Sequence, residues 1–243
     1  MATNLGDVPT PAAFYFDLAS PLAYLAAERI LQVFSSAAGV GSVEWRPVLA
    51  GDLDGAQTFD SFRCAEERDA SREDVERRAA ALGLQPLRWP QPFPFDSSLA
   101  MRVATYAASI GRAIPFAQAA FRQAFAGGHS LADPDYVLIA AAACEMHPRA
   151  VLQGAELDTV AQRLASTTAG ARAAGVVEVP AVLVGKEVFH GERELERAAA
   201  HVRDGHLDAG DGGDSDVVVR DDMARASDAG PNAPTDHAGA APR

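Results

Sequence analysis

Cysteine is scarce in this chain. Only Cys64 and Cys144 occur among its 243 residues, and neither belongs to a CxxC pair or to a spacing typical of a metal site. The sequence therefore predicts free thiols and no metal centre, as is usual for proteins of a reducing compartment. The first ten residues carry Asp7 and no basic residue. We accordingly expect no secretory signal and a cytoplasmic location.

Long apolar runs and positive charge are also lacking. No uninterrupted apolar stretch is long enough to cross a bilayer, and Lys186 is the only lysine. The 33 acidic residues outnumber the 21 basic ones, which gives a net charge of −12. An acidic surface repels nucleic-acid phosphates. We therefore expect neither a membrane nor a nucleic acid as partner.

The end of the chain has too few apolar residues to form a core. Between Asp208 and Arg243, eight Asp stand against three Arg, a net charge of −5, in a stretch rich in Gly, Ala and Pro. Such a composition cannot bury enough apolar surface to offset the entropy lost on ordering. Residues 204–243 are predicted to form a disordered acidic tail.

The remaining body alternates between strand and helix patterns. Residues 12–17 are aromatic and alternating, residues 20–38 have apolar positions at helical spacing, and residues 43–48 form a second short strand pattern. The later pattern predicts helices over about 61–83, from Ser97 onward, 113–126, 133–146 and 156–173, strands over 180–185 and 187–189, and a closing helix over 192–202. The fold class is therefore α/β, and the element order β-α-β … β-β-α resembles that of a thioredoxin-like fold. Its core comprises residues 12–60 and 174–203, and residues 61–173 form a helical insertion domain.

Ser20 and Pro21 mark the junction between the first strand and the first helix. Serine is a favoured N-cap residue, and proline is favoured at the first helical position. Backbone N–H groups and the helix dipole at such an end stabilise an anion, and they lower the pKa of a thiol placed there. A simple capping role is the commoner use of such a pair. A serine hydroxyl could also hold a bound thiolate by a hydrogen bond.

The second notable pair, Val179-Pro180, opens the strand that begins near the end of the body. A trans proline at a strand start is the commoner case, since only about 5% of X-Pro bonds are cis. A cis bond here would leave the Val179 backbone free to pair with an extended peptide such as a tripeptide thiol.

Several segments together resemble one family. Residues 16–26 (FDLASPLAYLA), 45–49 (WRPVL), 93–102 (FPFDSSLAMR), 175–180 (GVVEVP) and 188–191 (VFHG) are similar to motifs of the branch of the DsbA-like thioredoxin superfamily that holds 2-hydroxychromene-2-carboxylate isomerase and kappa-class glutathione transferase. The resemblance extends over about 12–203, and the order of the motifs is more specific than any one of them.

The resemblance implies a glutathione-dependent isomerase. Glutathione, or another low-molecular-weight thiol, would bind between the Ser20 helix start and the Val179-Pro180 loop, and Ser20 would stabilise its thiolate. The thiolate would add to a small aromatic substrate, a bond would rotate, and the thiol would leave, giving trans-o-hydroxybenzylidenepyruvate from 2-hydroxychromene-2-carboxylate. A homodimer is also expected from the resemblance.

The candidate site residues follow from these arguments. Ser20 is the catalytic candidate. The thiol-binding candidates are Ser20, Pro21, Val179, Pro180, Gly191 and Glu192. Arg46, Asp96 and Arg102 are candidates for binding the substrate, since an arginine can hold a carboxylate by two parallel hydrogen bonds.

Two departures from the family pattern leave other functions open. Residues 191–195 read GEREL where an acidic residue usually stands at Arg193, and the loop after Pro47 lacks the usual asparagine. A kappa-class-like transferase and a non-catalytic thiol-binding protein therefore remain alternatives. A thiol-disulfide oxidoreductase is disfavoured because residues 20–23 (SPLA) hold no cysteine.

Overall fold

The computed structural model describes residues 12–36, 43–55 and 64–210. The strands are β1 (Ala13–Phe16), β2 (Glu44–Pro47), β3 (Ala181–Val184) and β4 (Glu187–His190). The α helices are α1 (Pro21–Ser36), α2 (Ala65–Ala81), α3 (Ser98–Ser109), α4 (Ala113–Phe125), α5 (Pro134–Ala142), α6 (Pro148–Glu156), α7 (Asp158–Ala173) and α8 (Leu195–Gly210). Short 3-10 turns cover Ala50–Asp52 and Glu192–Glu194. No described helix is both long enough and apolar enough to traverse a bilayer.

The four strands form one sheet in the order β2-β1-β3-β4. β1 and β2 are parallel, and β3 is antiparallel to both β1 and β4. The predicted α/β fold is therefore confirmed, and the two strands of its opening β-α-β unit are parallel. Helices α2 to α7 all lie between β2 and β3 along the chain.

Alternation along β1 divides the core between the two faces of the sheet. Phe14 and Phe16 are fully buried on one face, where the ring of Trp45 meets them edge to face at 4.9 and 5.7 Å. Ala13 and Tyr15 point to the other face and belong to a smaller apolar cluster. Successive residues of a strand point to opposite faces, so β1 anchors both layers and fixes the place where α1 begins.

Some boundaries differ from the sequence prediction. α6 (Pro148–Glu156) was not predicted, although His147 caps it by accepting the Arg149 amide at 3.2 Å and Pro148 opens it. α8 continues to Gly210, so residues 204–210 belong to this helix and not to the tail. The predicted tail beyond residue 210 lies outside the described residues, and so does the predicted end of the first helix at residues 37–38.

Candidate active site

Ser20 occupies the N-cap position of α1. Its amide donates to the carbonyl of Asp17 at 3.0 Å, its carbonyl accepts from Tyr24 at 3.1 Å, and its Oγ accepts from the amide of Ala23 at 3.2 Å. Because Oγ is used as an acceptor, the hydroxyl hydrogen can be donated to another group. Ser20 is only partly buried and lines a cleft, so a hydrogen-bond donor at a helix N-terminus faces that cleft.

Asp17 fixes the turn that carries Ser20. One carboxylate oxygen accepts the Ala19 amide at 2.9 Å, and the other accepts the Ala50 amide at 2.9 Å. The side chain is 3% exposed. Burial raises the pKa of Asp17, while hydrogen bonds from Ala19, Ala50 and Ser97 oppose that rise. Asp17 thereby joins the strand–helix turn to the loop after β2 and to the start of α3.

The Val179-Pro180 peptide bond is cis. The loop that carries it is held from both sides: the Gly191 amide donates to the Pro180 carbonyl at 2.8 Å, and the Gly55 amide donates to the Val177 carbonyl at 2.8 Å. His190 Nε2 accepts the Val177 amide at 3.2 Å. In the described part of the chain, neither the amide nor the carbonyl of Val179 has a hydrogen-bond partner. The Val179 backbone is therefore available to an extended ligand.

These two elements border one cleft of about 480 Å³. Its apolar wall comes from Leu22, Leu49, Phe93, Pro94 and Phe95, and its polar side chains from Ser20, Ser71, Ser97 and Ser98. The size lies in the range of small-ligand sites, and so does the mixture of apolar wall and few polar groups. No cysteine is among the described residues that line it.

The ionisable side chains in the cleft are all acidic among its described residues. Asp17, Asp52, Asp96 and Glu178 line it, and no Lys, Arg or His does. The hydroxyl and amide of Ser98 hydrogen-bond to Asp96 and lower the pKa of its carboxyl. Asp96 therefore stays ionised at neutral pH, and an anionic ligand must approach other negative charges.

The structure brings together only some of the predicted site residues. Ser20, Pro21, Val179 and Asp96 line the cleft, and Pro180 follows directly behind Val179. Gly191 supports the Pro180 carbonyl through its amide and does not line the cleft. Arg46 and Arg102 also lie elsewhere: Arg46 lines a second cavity, and Arg102 reaches the Ala155 carbonyl on α6.

Glu192 is buried away from the cleft, with its side chain 5% exposed. Its carboxylate pairs with Arg78 of α2 at 2.9 Å, and its carbonyl accepts from Arg29 of α1 at 3.1 Å. Arg78 also pairs with Asp74 at 2.5 Å. The structure therefore gives Glu192 an ion pair between α2 and the segment before α8, in place of the predicted contact with a thiol.

Sequence reasoning missed several residues of the cleft. Asp52, Ser71, Ser97 and Glu178 come from four separate segments, and no local pattern links them. Glu178 had a usable signal, since it directly precedes Val179-Pro180. Asp17 also had one, because a carboxylate that directly follows a buried strand is well placed to accept loop amides.

A family model for the DSBA-like thioredoxin domain matches residues 13–203. The chain belongs to this family. The match covers every strand of the sheet and ends within α8. We found no match to the sequence among curated proteins.

Solved structures of DsbA-like proteins share the fold at low sequence identity. A 2-hydroxychromene-2-carboxylate isomerase has a TM-score of 0.69 and 20% identity, with 82% of this chain and 98% of that chain covered. A probable DsbA oxidoreductase from Streptomyces coelicolor has a TM-score of 0.64 and 18% identity, covering 87% and 94%. The cytosolic disulfide reductase DsbM from Pseudomonas aeruginosa, solved with GSH, has a TM-score of 0.56 and 13% identity, covering 83% and 98%. At these identities the likeness establishes the fold.

The buried carboxyl of Asp17 has a measurable effect on stability. Its pKa is raised on folding, so the folded state holds this proton more tightly than the unfolded state. The stabilisation is therefore complete below the unfolded pKa of about 3.9, and it is lost as pH rises through the folded pKa. We expect Asp17→Asn to remove this pH dependence, which urea unfolding over a pH series that starts near the unfolded pKa of Asp and rises from there would measure.

The control is Asp69→Asn, at an exposed position on α2. This variant should keep the wild-type pH dependence of the free energy of unfolding. Equal pH profiles for wild type and Asp17→Asn would contradict the pKa shift.

Proposed function

We propose that the chain is a glutathione-dependent isomerase of the 2-hydroxychromene-2-carboxylate type. One observation carries this proposal: a serine hydroxyl, and no cysteine, stands at the N-terminus of α1 in the cleft that the cis Val179-Pro180 loop borders. A residue that can hold a thiolate but cannot form a disulfide suits chemistry in which the thiol is borrowed.

The cleft fits a small extended thiol. Its volume is about 480 Å³, and the Val179 backbone offers one donor and one acceptor at its border. Backbone pairing of this kind is how extended peptides bind to free main-chain groups. The amino group of glutathione would also find carboxylates nearby, since Asp52, Asp96 and Glu178 line the cleft.

In this mechanism, bound glutathione would supply a nucleophilic sulfur, whose reversible addition to the substrate's double bond permits rotation about that bond. Ser20 donates its hydroxyl hydrogen toward the sulfur position and the α1 dipole favours negative charge there. The Ala23 amide orients Ser20 through its bond to Oγ. Phe93 and Phe95 supply an apolar wall for an aromatic substrate.

The test combines binding with turnover. Calorimetry should show glutathione binding to the wild type, and a catalytic quantity of glutathione should support isomerisation without being consumed. Ser20→Ala should lose turnover, whereas Ser71→Ala, at another serine of the cleft, should keep it. Absence of glutathione binding to the wild type would overturn the proposal.

A kappa-class-like glutathione transferase is the second candidate. No cationic side chain is found among the described cleft residues, and Arg46 and Arg102 lie outside the cleft. This arrangement favours an uncharged electrophile over a substrate that carries a carboxylate. Stoichiometric consumption of glutathione with such an electrophile would distinguish conjugation from isomerisation. Robust insulin reduction would instead favour an oxidoreductase, and bound glutathione without turnover would favour a non-catalytic thiol-binding protein.

A cytoplasmic location belongs to the same proposal. Cys144 is buried and Cys64 is exposed, and both are free thiols. Free thiols persist in reducing compartments, where glutathione is also abundant.

A further inference from the structure

A second cavity of about 570 Å³ lies beside β2, at the edge of the sheet. Helices α3 and α7 form its other walls, through Thr105 and Ala108 on α3 and Arg163 and Thr167 on α7. It shares no lining residue with the Ser20 cleft. The two cavities are therefore separate binding spaces in the described part of the fold.

The charge of this cavity is opposite to that of the cleft. Among the described residues that line it, Arg46 and Arg163 stand beside one acidic residue, Glu44. In a chain with a net charge of −12, a space with excess positive charge is a local exception. The electrostatic potential here favours an anion, whereas acidic side chains surround the Ser20 cleft.

Arg46 is held in place but keeps spare donors. Its guanidinium donates to the Tyr15 hydroxyl at 3.1 Å and to Glu44 at 2.6 Å. The Glu44 carboxylate raises the pKa of Arg46, so its charge is secure. A guanidinium has five N–H donors, so these two contacts leave others for a ligand.

Arg163 supplies the second cation. Its side chain has no ion pair or hydrogen bond within the portion of the chain that the structure covers. Ser166, on the next turn of α7, places a hydroxyl group along the same wall, whereas the Thr167 hydroxyl donates to the Arg163 carbonyl at 2.9 Å. Two arginines with an adjacent hydroxyl suit a planar carboxylate, which accepts paired hydrogen bonds.

The rest of the wall is apolar. Trp45, Leu183, Ala108 and Ala174 line it, and the volume is that of a small-ligand site. A small inorganic anion would leave this surface uncovered. We propose that the cavity binds a small organic carboxylate, with its carboxylate between Arg46 and Arg163 and its apolar body toward Leu183 and Ala174. This site is independent of the proposed thiol chemistry.

The test uses para-fluorobenzoate as the probe, without any thiol, followed by fluorine NMR. We expect binding to the wild type that weakens as salt is raised, and no binding of the uncharged para-fluorobenzamide. Arg163→Gln should weaken binding about fivefold, as for loss of a partly exposed charged hydrogen bond. Arg149→Gln, at an exposed arginine of α6 outside both cavities, should leave it unchanged.

A second variant tests whether the probe occupies this cavity, by reducing the volume of the cavity without changing its charge. Gly170 lines the cavity, and a Cβ placed on it meets no neighbouring atom within 4 Å, so Gly170→Leu should fold and abolish binding by filling the volume. Ser20→Ala should bind the probe as the wild type does. Loss of binding in Ser20→Ala with retention in Gly170→Leu would place the probe in the cleft and overturn the proposal. The proposal would also be overturned if para-fluorobenzoate did not bind, or if the benzamide bound equally well. A dimer that forms in sedimentation experiments and prevents binding of the probe would overturn it too.

Discussion

Ser20→Ala is expected to lower kcat/KM of the glutathione-dependent reaction about 100-fold, or ~2.7 kcal/mol, the usual cost of losing one donor to a developing or bound anion. Among the described residues, Oγ of Ser20 acts as the acceptor of the Ala23 amide. Its own hydrogen therefore remains available to a ligand. Alanine removes that donor and leaves the helix end and the cis Val179-Pro180 loop in place. The loss should therefore appear mainly in kcat and less in the affinity for glutathione. Steady-state kinetics and calorimetry on the same preparations would measure both.

The controls for this variant separate chemistry from capping. Loss of the Ser20 cap costs about 1 kcal/mol of stability, which urea unfolding reports directly. Ser20→Thr keeps both the cap and a hydroxyl and should recover most of the activity. If Ser20→Ala keeps wild-type kcat/KM, the hydroxyl has no role in the reaction.

Glu192→Ala is expected to destabilise the fold by about 3 kcal/mol, at the lower end for breaking a buried ion pair. We expect a loss at the lower end of that range because Arg78 keeps Asp74 as a second partner and its side chain is 25% exposed. The cost arises because Arg78 loses a buried partner and the contact between α2 and the segment before α8 is weakened. Urea or thermal unfolding measures this loss.

The same variant decides between two roles of Glu192. If Glu192 only joins α2 to the end of the fold, glutathione affinity at a temperature where the variant is folded should equal that of the wild type. Glu194→Ala is the matched control, because Glu194 pairs with Arg197, which is 70% exposed, and should cost less than about 1 kcal/mol. A Glu192→Ala protein of normal stability that fails to bind glutathione would return Glu192 to the thiol site.

Local patterns predict the parts of this molecule that depend on neighbours in sequence. Ser20-Pro21 marks the start of α1, and the alternation of Phe14 and Phe16 places their rings on one face of the sheet. α6 was missed although Pro148 marks its start, and it contains Gly154, a poor helix former that packs directly beneath the ring of Tyr106. That contact joins distant segments, and no local pattern reveals it.

Contacts between distant segments also explain why some predicted site residues lie outside the cleft. Glu192 looks like a polar group after the last strand, yet its partner Arg78 lies in the helical segment before α3, and only the tertiary fold brings them together. For Arg46, the alternation of side chains along a strand partly predicts its position. Since Trp45 packs with Phe14 on one face, Arg46 must point to the other face beside Tyr15.

The pKa of the glutathione thiol in the complex tests the central claim most directly. It can be read from the ultraviolet absorbance of the thiolate during a pH titration of glutathione bound to the wild type and to Ser20→Ala. The proposed role of Ser20 and the α1 N-terminus predicts a thiol pKa below that of free glutathione in the wild-type complex, and a rise toward the free value in Ser20→Ala. An unchanged thiol pKa in the wild-type complex would contradict it.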